Sequence, residues 1–418
     1  MNESKKNKPL TGYRLKILSI GAFLLILFFL SVAVFSAMLI SKIVENGFAD
    51  TFKSDWPLLI ALILIEALIF WAGIIMVYTT SVQLGVKLRL IGVLCGWIPI
   101  VHLFVLFKII KVTTAEAHFE KKKLKLNEKR KLQQICKTRY PILMVHGVFF
   151  RDFKYFNYWG RIPDELEKNG ARVFYGNHQS AASVINSARE LADRINQIVD
   201  STGCGKVNII AHSKGGLDIK TAVACLGIAD KVASITTVNT PHRGCEFAEY
   251  LLNKAPAGFK EKVANSYNSA LRKLGDTNPD FIAAVTDLTA SGCKKIWDMT
   301  SGFDFKGHGI YTKSIGSCMK QAGSGAFPLN MSYMFVKLFD GRNDGLVGEK
   351  SFPWGDEYIF LENKKKRGIS HGDMIDLNRE NIPGFDVRDF FVDIVADLKN
   401  KVVLCQDLVQ IKMGDFSS

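Results

Sequence analysis

Apolar residues are distributed unevenly along the chain and form long runs near its start. Residues 17–40 contain no charged side chain, a length sufficient to cross a bilayer core of about 30 Å as a helix. Residues 56–78 form a second run with one charge, and residues 90–107 a third, which contains Pro99. A cleaved signal peptide is an alternative for the first run, but the run is longer than the apolar core of a signal, lacks a small-residue cleavage site and is followed by a second run. The pattern therefore predicts a membrane region with two to three hydrophobic helices over residues 1–110.

From residue 140 onward the pattern changes to short apolar runs that alternate with helical segments. Strands are predicted at residues 141–146, 171–175, 206–211 and 232–238, and helices at residues 164–169, 182–200 and directly after residue 213. Such alternation is typical of a mostly parallel sheet with helices on both faces. Residues 244–300 are helical in pattern and interrupt the alternation where a lid over an active site can be inserted. The sequence thus predicts an α/β domain over residues 140–418 with a helical lid at about residues 244–300.

The positive charge of the chain is concentrated before this domain. Residues 1–139 hold twenty basic and eight acidic residues, and so account for most of the formal net charge of +14. The domain that follows has no basic surplus for a nucleic-acid-binding face, so nucleic acid is not expected as a partner. The eight cysteines form neither a CxxC pair nor another metal-type spacing, which argues against a zinc or redox motif.

Residues 108–139 carry the largest basic cluster, with eleven Lys and Arg. By the positive-inside rule this cluster stays in the cytoplasm, which places the α/β domain on the cytoplasmic side of an inner or cell membrane. The N-terminus lies outside if all three apolar runs cross, and inside if the third run dips into the membrane and returns. Lys, Glu and Leu dominate residues 113–134 and favour a helix. We therefore expect a basic helical linker, residues 111–139, that is attracted to anionic lipid headgroups.

The first candidate catalytic motif lies at residues 207–218, VNIIAHSKGGLD. Residues of strand type run into Ser213, and a helix-compatible segment follows without a spacer. A serine at a sharp strand-to-helix turn has its hydroxyl exposed, and small residues two before and two after it let the backbone turn. Ala211 and Gly215 fill these two places, so the segment is a G-x-S-x-G motif with alanine for the first glycine. The alternative is a serine in an ordinary β-to-α turn.

A serine nucleophile needs a base and a group that orients the base, and in this type of turn the chain order is Ser, acid, His. His371 is the last histidine and lies in the glycine-flanked stretch GISHGDM. Asp344, in DGRNDGLVG, precedes it and is the candidate acid, with Asp340 as its rival. The Asn-Asp-Gly sequence also forms turns without any catalytic role.

The domain resembles bacterial triacylglycerol lipases of the calcium-dependent true-lipase group over residues 140–382. The resemblance is carried by PILMVHG, VNIIAHSKGGLD, VASITTVNTPHRGCEFAEYL, NDGLVG and a late HxD. It implies an α/β-hydrolase fold with a mobile helical lid, in which Ser213 is the nucleophile, Asp344 the acid and His371 the base.

The same resemblance implies an oxyanion hole and a metal site. The oxyanion hole would consist of two backbone N–H groups, those of Val148 and Lys214. Asp373 matches one carboxylate ligand of the family's calcium, but the second aspartate, expected upstream of Asp344, is absent, with Ser324 near its place. We therefore expect that no cofactor is required, and that any calcium is weakly bound.

These features predict a membrane-anchored serine ester hydrolase that cleaves carboxylic esters of lipids through an acyl-enzyme. An acyltransferase or thioesterase with the same triad is the alternative among enzymes, because it differs only in what attacks the acyl-enzyme. A membrane scaffold with an inactive hydrolase domain is the alternative outside enzymes. The expected partners are a lipid ester substrate and an anionic membrane surface.

Overall fold

The computed structural model describes residues 12–98, 100–148, 157–273, 276–326 and 329–415, with side chains through Cys405. The chain divides into two compact units, residues 8–129 and residues 130–418, and the boundary lies within one long helix.

The first unit is helical in its described part. Its helices are α1 (Gly12–Asn46), α2 (Phe48–Thr80), α3 (Gly85–Cys95) and α4 (Val101–Gln133), of which α4 ends in the second unit. Two of them, α1 and α2, have the length and composition of membrane spans, with mean hydropathies of 2.9 and 2.7 over their most apolar windows. A signal sequence near an N-terminus passes the same test of length and composition.

Small residues let α1 and α2 pack closely. A Cβ atom placed on Gly21 would lie 2.7 Å from the Met76 Cβ and 3.1 Å from the carbonyl oxygen of Gly73. No side chain fits into that space without a shift of the neighbouring helix. Glycine at such a position allows two helix backbones to approach each other, as it does in membrane helix pairs.

The third apolar run, residues 90–107, does not form one helix. Helix α3 ends within it and α4 starts within it, and between them Ile100 has a φ of +68°, a left-handed conformation that interrupts a right-handed helix. Helix α4 then continues without a break to Gln133, which confirms the helix predicted for residues 113–134.

The second unit is built on a six-stranded parallel sheet. Its strands are β1 (Ile142–Val145), β2 (Val173–Tyr175), β3 (Val207–His212), β4 (Val232–Val238), β5 (Tyr311–Ser317) and β6 (Glu357–Leu361), in the spatial order β2-β1-β3-β4-β5-β6. Strands β1 to β4 lie where the sequence predicts strands, and every neighbouring pair is parallel. The predicted α/β class is therefore confirmed.

The helices of this unit are α5 (Ile162–Lys168), α6 (Val184–Thr202), α7 (Lys214–Cys225), α8 (Glu246–Lys254), α9 (Ala257–Lys273), α10 (Phe281–Thr286), α11 (Ala290–Thr300), α12 (Leu329–Asp340) and α13 (Val387–Asp415). Four of them, α5, α6, α7 and α13, cover the two faces of the sheet. Because successive strand residues point to opposite faces, Leu143 and Val145 pack with α6 and α7, whereas Ile142 and Met144 pack with α5 and α13. Helices α8 to α11 fill the region predicted as a helical lid.

Strand β5 was not predicted, because its sequence YTKSIGS is polar. All seven of its residues are nevertheless buried. The amine of Lys313 lies 3.2 Å from a carboxylate oxygen of Glu357 and 3.3 Å from one of Asp397, which compensates its buried charge. These ion pairs, with a residue of β6 and a residue of α13, allow a polar sequence to form an interior strand of the sheet.

Candidate active site

Ser213 stands at a sharp turn between β3 and α7, as the G-x-S-x-G motif predicts. Its φ of 55° and ψ of −131° are unfavourable for a residue with a side chain, which is the strained backbone expected of a nucleophile elbow. A Cβ atom on Gly215 would lie 2.4 Å from the carbonyl oxygen of His146, so only glycine fits two residues after the serine. Ala211, two residues before it, is fully buried in β3.

His371 and Asp344 form a close pair in the same unit. The Nδ1 atom of His371 lies 2.6 Å from Oδ2 of Asp344, which is completely buried. That carboxylate also accepts hydrogen bonds from the backbone N–H groups of Leu346 and Val347 and from the side-chain amide of Asn239 at 2.6 Å. The backbone N–H of His371 in turn donates to the carbonyl oxygen of Asp344 at 2.8 Å. Two hydrogen bonds between the two residues therefore fix the orientation of the imidazole.

Asp340, the rival acid, occupies a different place. Its carboxylate oxygens accept the backbone N–H groups of Glu246 and Phe247 at 3.0 and 3.1 Å, at the start of α8. A carboxylate at a helix N-terminus satisfies N–H groups that have no acceptor within the helix. Asp340 therefore holds the first helix of the lid region.

Ser213 and His371 open onto one apolar cavity of about 340 Å³. The lid region supplies most of its wall, including Phe247, Leu251, Phe259, Val263, Phe281, Ile282, Val285 and Leu288. Val148 lies at the same cavity. An acyl chain is the kind of group that such a wall accommodates, because burying apolar surface is favourable at about 25 cal/mol per Å².

Of the two residues predicted to supply oxyanion donors, Val148 lines the same cavity as Ser213, and Lys214 follows Ser213 directly in the chain. Lys214 is the first residue of α7, where a backbone N–H has no acceptor within the helix. Its side chain turns away from the cavity, and its amine donates to Asp218 Oδ1 at 2.7 Å and to Ser187 Oγ at 3.0 Å. Burial raises the pKa of the Asp218 carboxyl to about 6, although the Lys214 ammonium opposes this rise.

A buried hydrogen-bond chain that the sequence did not predict links the loop after β1 to the His371 loop. Gly147 N–H donates to the Tyr158 hydroxyl at 3.0 Å, and that hydroxyl lies 2.7 Å from His212 Nδ1. The other ring nitrogen of His212, Nε2, lies 3.2 Å from the carbonyl oxygen of His371 and can only donate to it. His212 Nδ1 is then the acceptor of the Tyr158 proton in a neutral ring. Burial, and secondly the nearby His371, lower the pKa of His212 well below its usual value, which favours this neutral form.

The surroundings of Asp373 do not fit a calcium ion. Its Oδ2 accepts the N–H and hydroxyl of Ser370 at 2.7 and 2.6 Å, and its Oδ1 accepts an N–H of Arg367 at 2.9 Å. A guanidinium group therefore stands where a cation would bind this carboxylate. Across the described parts of the chain, no group of three or more His, Cys, Asp or Glu side chains has an arrangement that could hold a metal.

The parallel sheet order, the strained serine turn and the buried His–Asp pair place the second unit in the α/β-hydrolase fold. No protein-family model matches the chain. Triacylglycerol lipases from Pseudarthrobacter phenanthrenivorans and Burkholderia plantarii are each 35% identical to it over an alignment of 167 residues, and the match covers 37% of this chain and 51% and 46% of those proteins. The chain thus spans about half the length of the curated relatives it matches, and the predicted resemblance to triacylglycerol lipases is confirmed over that part.

Among solved structures, the mature form of a lipase from Bacillus licheniformis is similar to the chain. It is 21% identical with a TM-score of 0.46, and the match covers 61% of this chain and 91% of that one.

Proposed function

We propose that the protein is a serine ester hydrolase that cleaves carboxylic esters of lipids, with Ser213 as nucleophile, His371 as base and Asp344 as the acid that orients the base. The observation that carries this proposal is the opening of Ser213 and His371 onto one apolar cavity, with His371 held by the buried Asp344. The similarity to triacylglycerol lipases supports the same reaction class.

In the proposed first step the Ser213 oxygen attacks the carbonyl carbon of the ester, and His371 Nε2 takes the hydroxyl proton. The negative charge that forms on the carbonyl oxygen is stabilised by the N–H groups of Val148 and Lys214. Each such donor contributes about 3 kcal/mol to transition-state stabilisation. The C–O bond then breaks, and the leaving alcohol receives the proton from His371.

In the second step water attacks the acyl-enzyme. His371 takes a proton from the water, the ester bond to Ser213 breaks, and the serine oxygen regains a proton from His371. The bond between Asp344 and Nδ1 supports both steps, because it keeps Nε2 free to accept a proton. This chemistry uses side chains and backbone groups of the chain alone, so we propose that no cofactor is required.

A lipid substrate is favoured by an apolar surface on α12. Met331, Met334, Phe335 and Leu338 are 54% to 77% exposed, and their spacing places them on one face of this helix. Phe335 stacks on Phe247, a residue of the cavity wall, with ring centroids 6.1 Å apart. Exposed apolar patches of this kind mark binding sites for apolar partners, and a lipid aggregate supplies such a partner at the cavity.

We further propose that α1 and α2 anchor the protein in an inner or cell membrane and that the hydrolase unit faces the cytoplasm. The apolar length of both helices and the basic residues of the linker support this arrangement. A reporter phosphatase that is active only outside the cytoplasm, fused after residue 418, should be inactive. A fully active fusion would place the hydrolase unit on the other side.

The decisive test of the reaction is a Ser213→Ala variant assayed on a soluble nitrophenyl ester and on a long-chain lipid ester. Loss of a catalytic nucleophile typically lowers turnover by 10⁴- to 10⁶-fold. His371→Ala should cost as much, and the double variant hardly more, because the two side chains act in the same step.

A labelling experiment supplies the matched control. An alkyl phosphonate ester should modify wild-type protein at Ser213, visible as a mass increase on that peptide, and should leave Ser213→Ala unmodified. Turnover by Ser213→Ala within tenfold of wild type, together with labelling elsewhere, would rule out the serine hydrolase mechanism.

A further inference from the structure

The guanidinium of Arg367 is the centre of a polar cluster beside the candidate base, and its side chain is 15% exposed. Nη1 donates to the carbonyl oxygens of Ser324 and Gly368 at 2.6 and 3.0 Å. Nη2 donates to Asp373 Oδ1 at 2.9 Å, and Nε and Nη2 donate to the two carboxylate oxygens of Glu380 at 3.2 and 2.9 Å. One planar cation thus binds five acceptor oxygens on four residues.

These acceptors enclose the segment that carries His371. Asp373, which is 4% exposed, binds Arg367 through one oxygen and the N–H and hydroxyl of Ser370 through the other. The carboxylate therefore ties positions 370 and 373 together on either side of the histidine. Since the His371 backbone also donates to the Asp344 carbonyl oxygen, a shift of this segment would displace the imidazole from its partner.

Removing the cation would leave an unstable set of groups. Two carboxylates, Asp373 and Glu380, and the carbonyl oxygens of Ser324 and Gly368 would lose the positive charge and the donors that they share. Carboxylates and carbonyls are also the ligands that a hard divalent ion prefers. The guanidinium, bound to the chain, occupies the centre of that ligand set.

We infer that Arg367 is a positioning residue that replaces a bound metal ion as the cation that holds residues 368–376, and with them His371. Its effect on catalysis rests on the proposed function, whereas its effect on the segment does not. Activity should accordingly resist a chelator such as EDTA, and the segment should depend on the guanidinium for its order.

The test is an Arg367→Gly variant of the full-length protein in detergent, with Lys366→Gly as the control. Lys366 is the preceding residue and is exposed, so this control removes the same charge from the same stretch without removing the buried contacts. Guanidinium chloride at about 20 mM, far below the molar concentrations that unfold proteins, serves as the chemical substitute for the missing group.

Two readouts are measured. For Arg367→Gly, kcat on a soluble nitrophenyl ester should fall 10- to 100-fold with KM changed less than about threefold, because a misplaced base slows chemistry and not binding. Amide hydrogen exchange over residues 368–376 should accelerate at least about tenfold, while exchange in α6 stays unchanged. Added guanidinium should reverse both changes, and Lys366→Gly should behave as wild type.

Specific results would overturn the inference. If hydrogen exchange and kcat in Arg367→Gly stay within twofold of wild type, the cation does not hold the segment. If wild-type protein loses its activity in EDTA and calcium restores it, a metal ion holds the segment instead. If Arg367→Gly fails to fold, Arg367→Lys keeps the charge but loses the fork, and should show a smaller kcat loss together with a smaller acceleration of exchange over residues 368–376. If wild-type protein hydrolyses no ester, the proposed function fails, and the exchange measurement still tests Arg367.

Discussion

Replacing Asp344 with asparagine tests the site in most detail, because the structure specifies what each carboxylate oxygen does. One oxygen accepts His371 Nδ1–H and the Asn239 amide, and the other accepts the N–H groups of Leu346 and Val347. The amide of asparagine has only one acceptor oxygen. Whichever way it is oriented, its NH₂ group meets two donors at one side of the site.

The expected size of the effect follows from these contacts. Each unsatisfied buried polar group costs about 1–3 kcal/mol of stability, so Asp344→Asn should lower the free energy of unfolding by about 2–6 kcal/mol. If the amide faces His371, the imidazole no longer has an acceptor for its Nδ1 proton and the favoured tautomer is lost. The corresponding change in serine proteases lowers kcat by about 10⁴-fold, or about 5.5 kcal/mol of transition-state stabilisation.

The assay is turnover of a soluble nitrophenyl ester at a temperature where circular dichroism shows the variant to be folded. Asp340→Asn is the matched control, because its carboxylate is bound to the start of α8 and should affect this small substrate less than about threefold. Asp344→Asn activity within tenfold of wild type would refute the geometric reasoning. A severe loss in Asp340→Asn with a mild one in Asp344→Asn would transfer the acid role to Asp340.

Two further predictions concern pH and lipid. Burial lowers the pKa of His242 well below its usual value. Below about pH 6.5 the unfolded state therefore binds more protons than the folded state. The free energy of unfolding should then fall on acidification, by up to about 1.4 kcal/mol per pH unit. His242→Phe should therefore reduce the drop in Tm between pH 7 and pH 5.5, and an equal drop in both proteins would contradict this. Changing the exposed Lys121, Lys122, Lys125 and Lys129 to Gln should lower the rate of lipid hydrolysis on anionic vesicles. Added salt should lower it as well, because it screens the same attraction. Turnover of a soluble ester is the control and should not change. Equal losses of activity on vesicles and on the soluble ester would mean that the linker supports the fold. Lys123 is left unchanged in this variant because its side chain is buried.

Local features of the site could be predicted from the sequence because their causes are local. A strand, a serine between two small residues and a helix follow one another within residues 207–225. The steric need for glycine at position 215, by contrast, comes from the carbonyl oxygen of His146 in another part of the chain, and it was visible only through the spacing of the motif. The chain order of serine, acid and histidine narrowed the candidates to His371 and to either Asp344 or Asp340. The sequence did not separate the two aspartates, since both lie in the same turn-rich stretch, whereas in the structure Asp344 is the one that contacts His371 Nδ1.

The supporting contacts lacked a local cause. Tyr158 reaches His212 across 54 positions of the chain, and Asn239 reaches Asp344 across 105. Hydrophobic periodicity carries no information about such pairs, because the partners are polar and lie far apart in the chain. Asn239 nevertheless lies in the motif NTPHRG, where a polar side chain directly after a buried strand was a usable signal. It lies at the carboxyl end of β4, the edge of a parallel sheet where binding groups collect.

Arg367 shows why a charge pattern misleads at such a site. It is the last of four consecutive basic residues, 364–367, and a run of this kind normally predicts a solvated surface. The first three are exposed as expected, but the fourth turns inward because Asp373 and Glu380, six and thirteen residues later, return to the same point. Its burial is tolerated because all three polar nitrogens of the side chain find acceptors, whereas a lysine would offer one charged centre to five acceptor oxygens on different sides. The arginine and the two acids therefore form one structural unit, and the loss of one acid should reproduce part of the defect expected for the loss of the arginine.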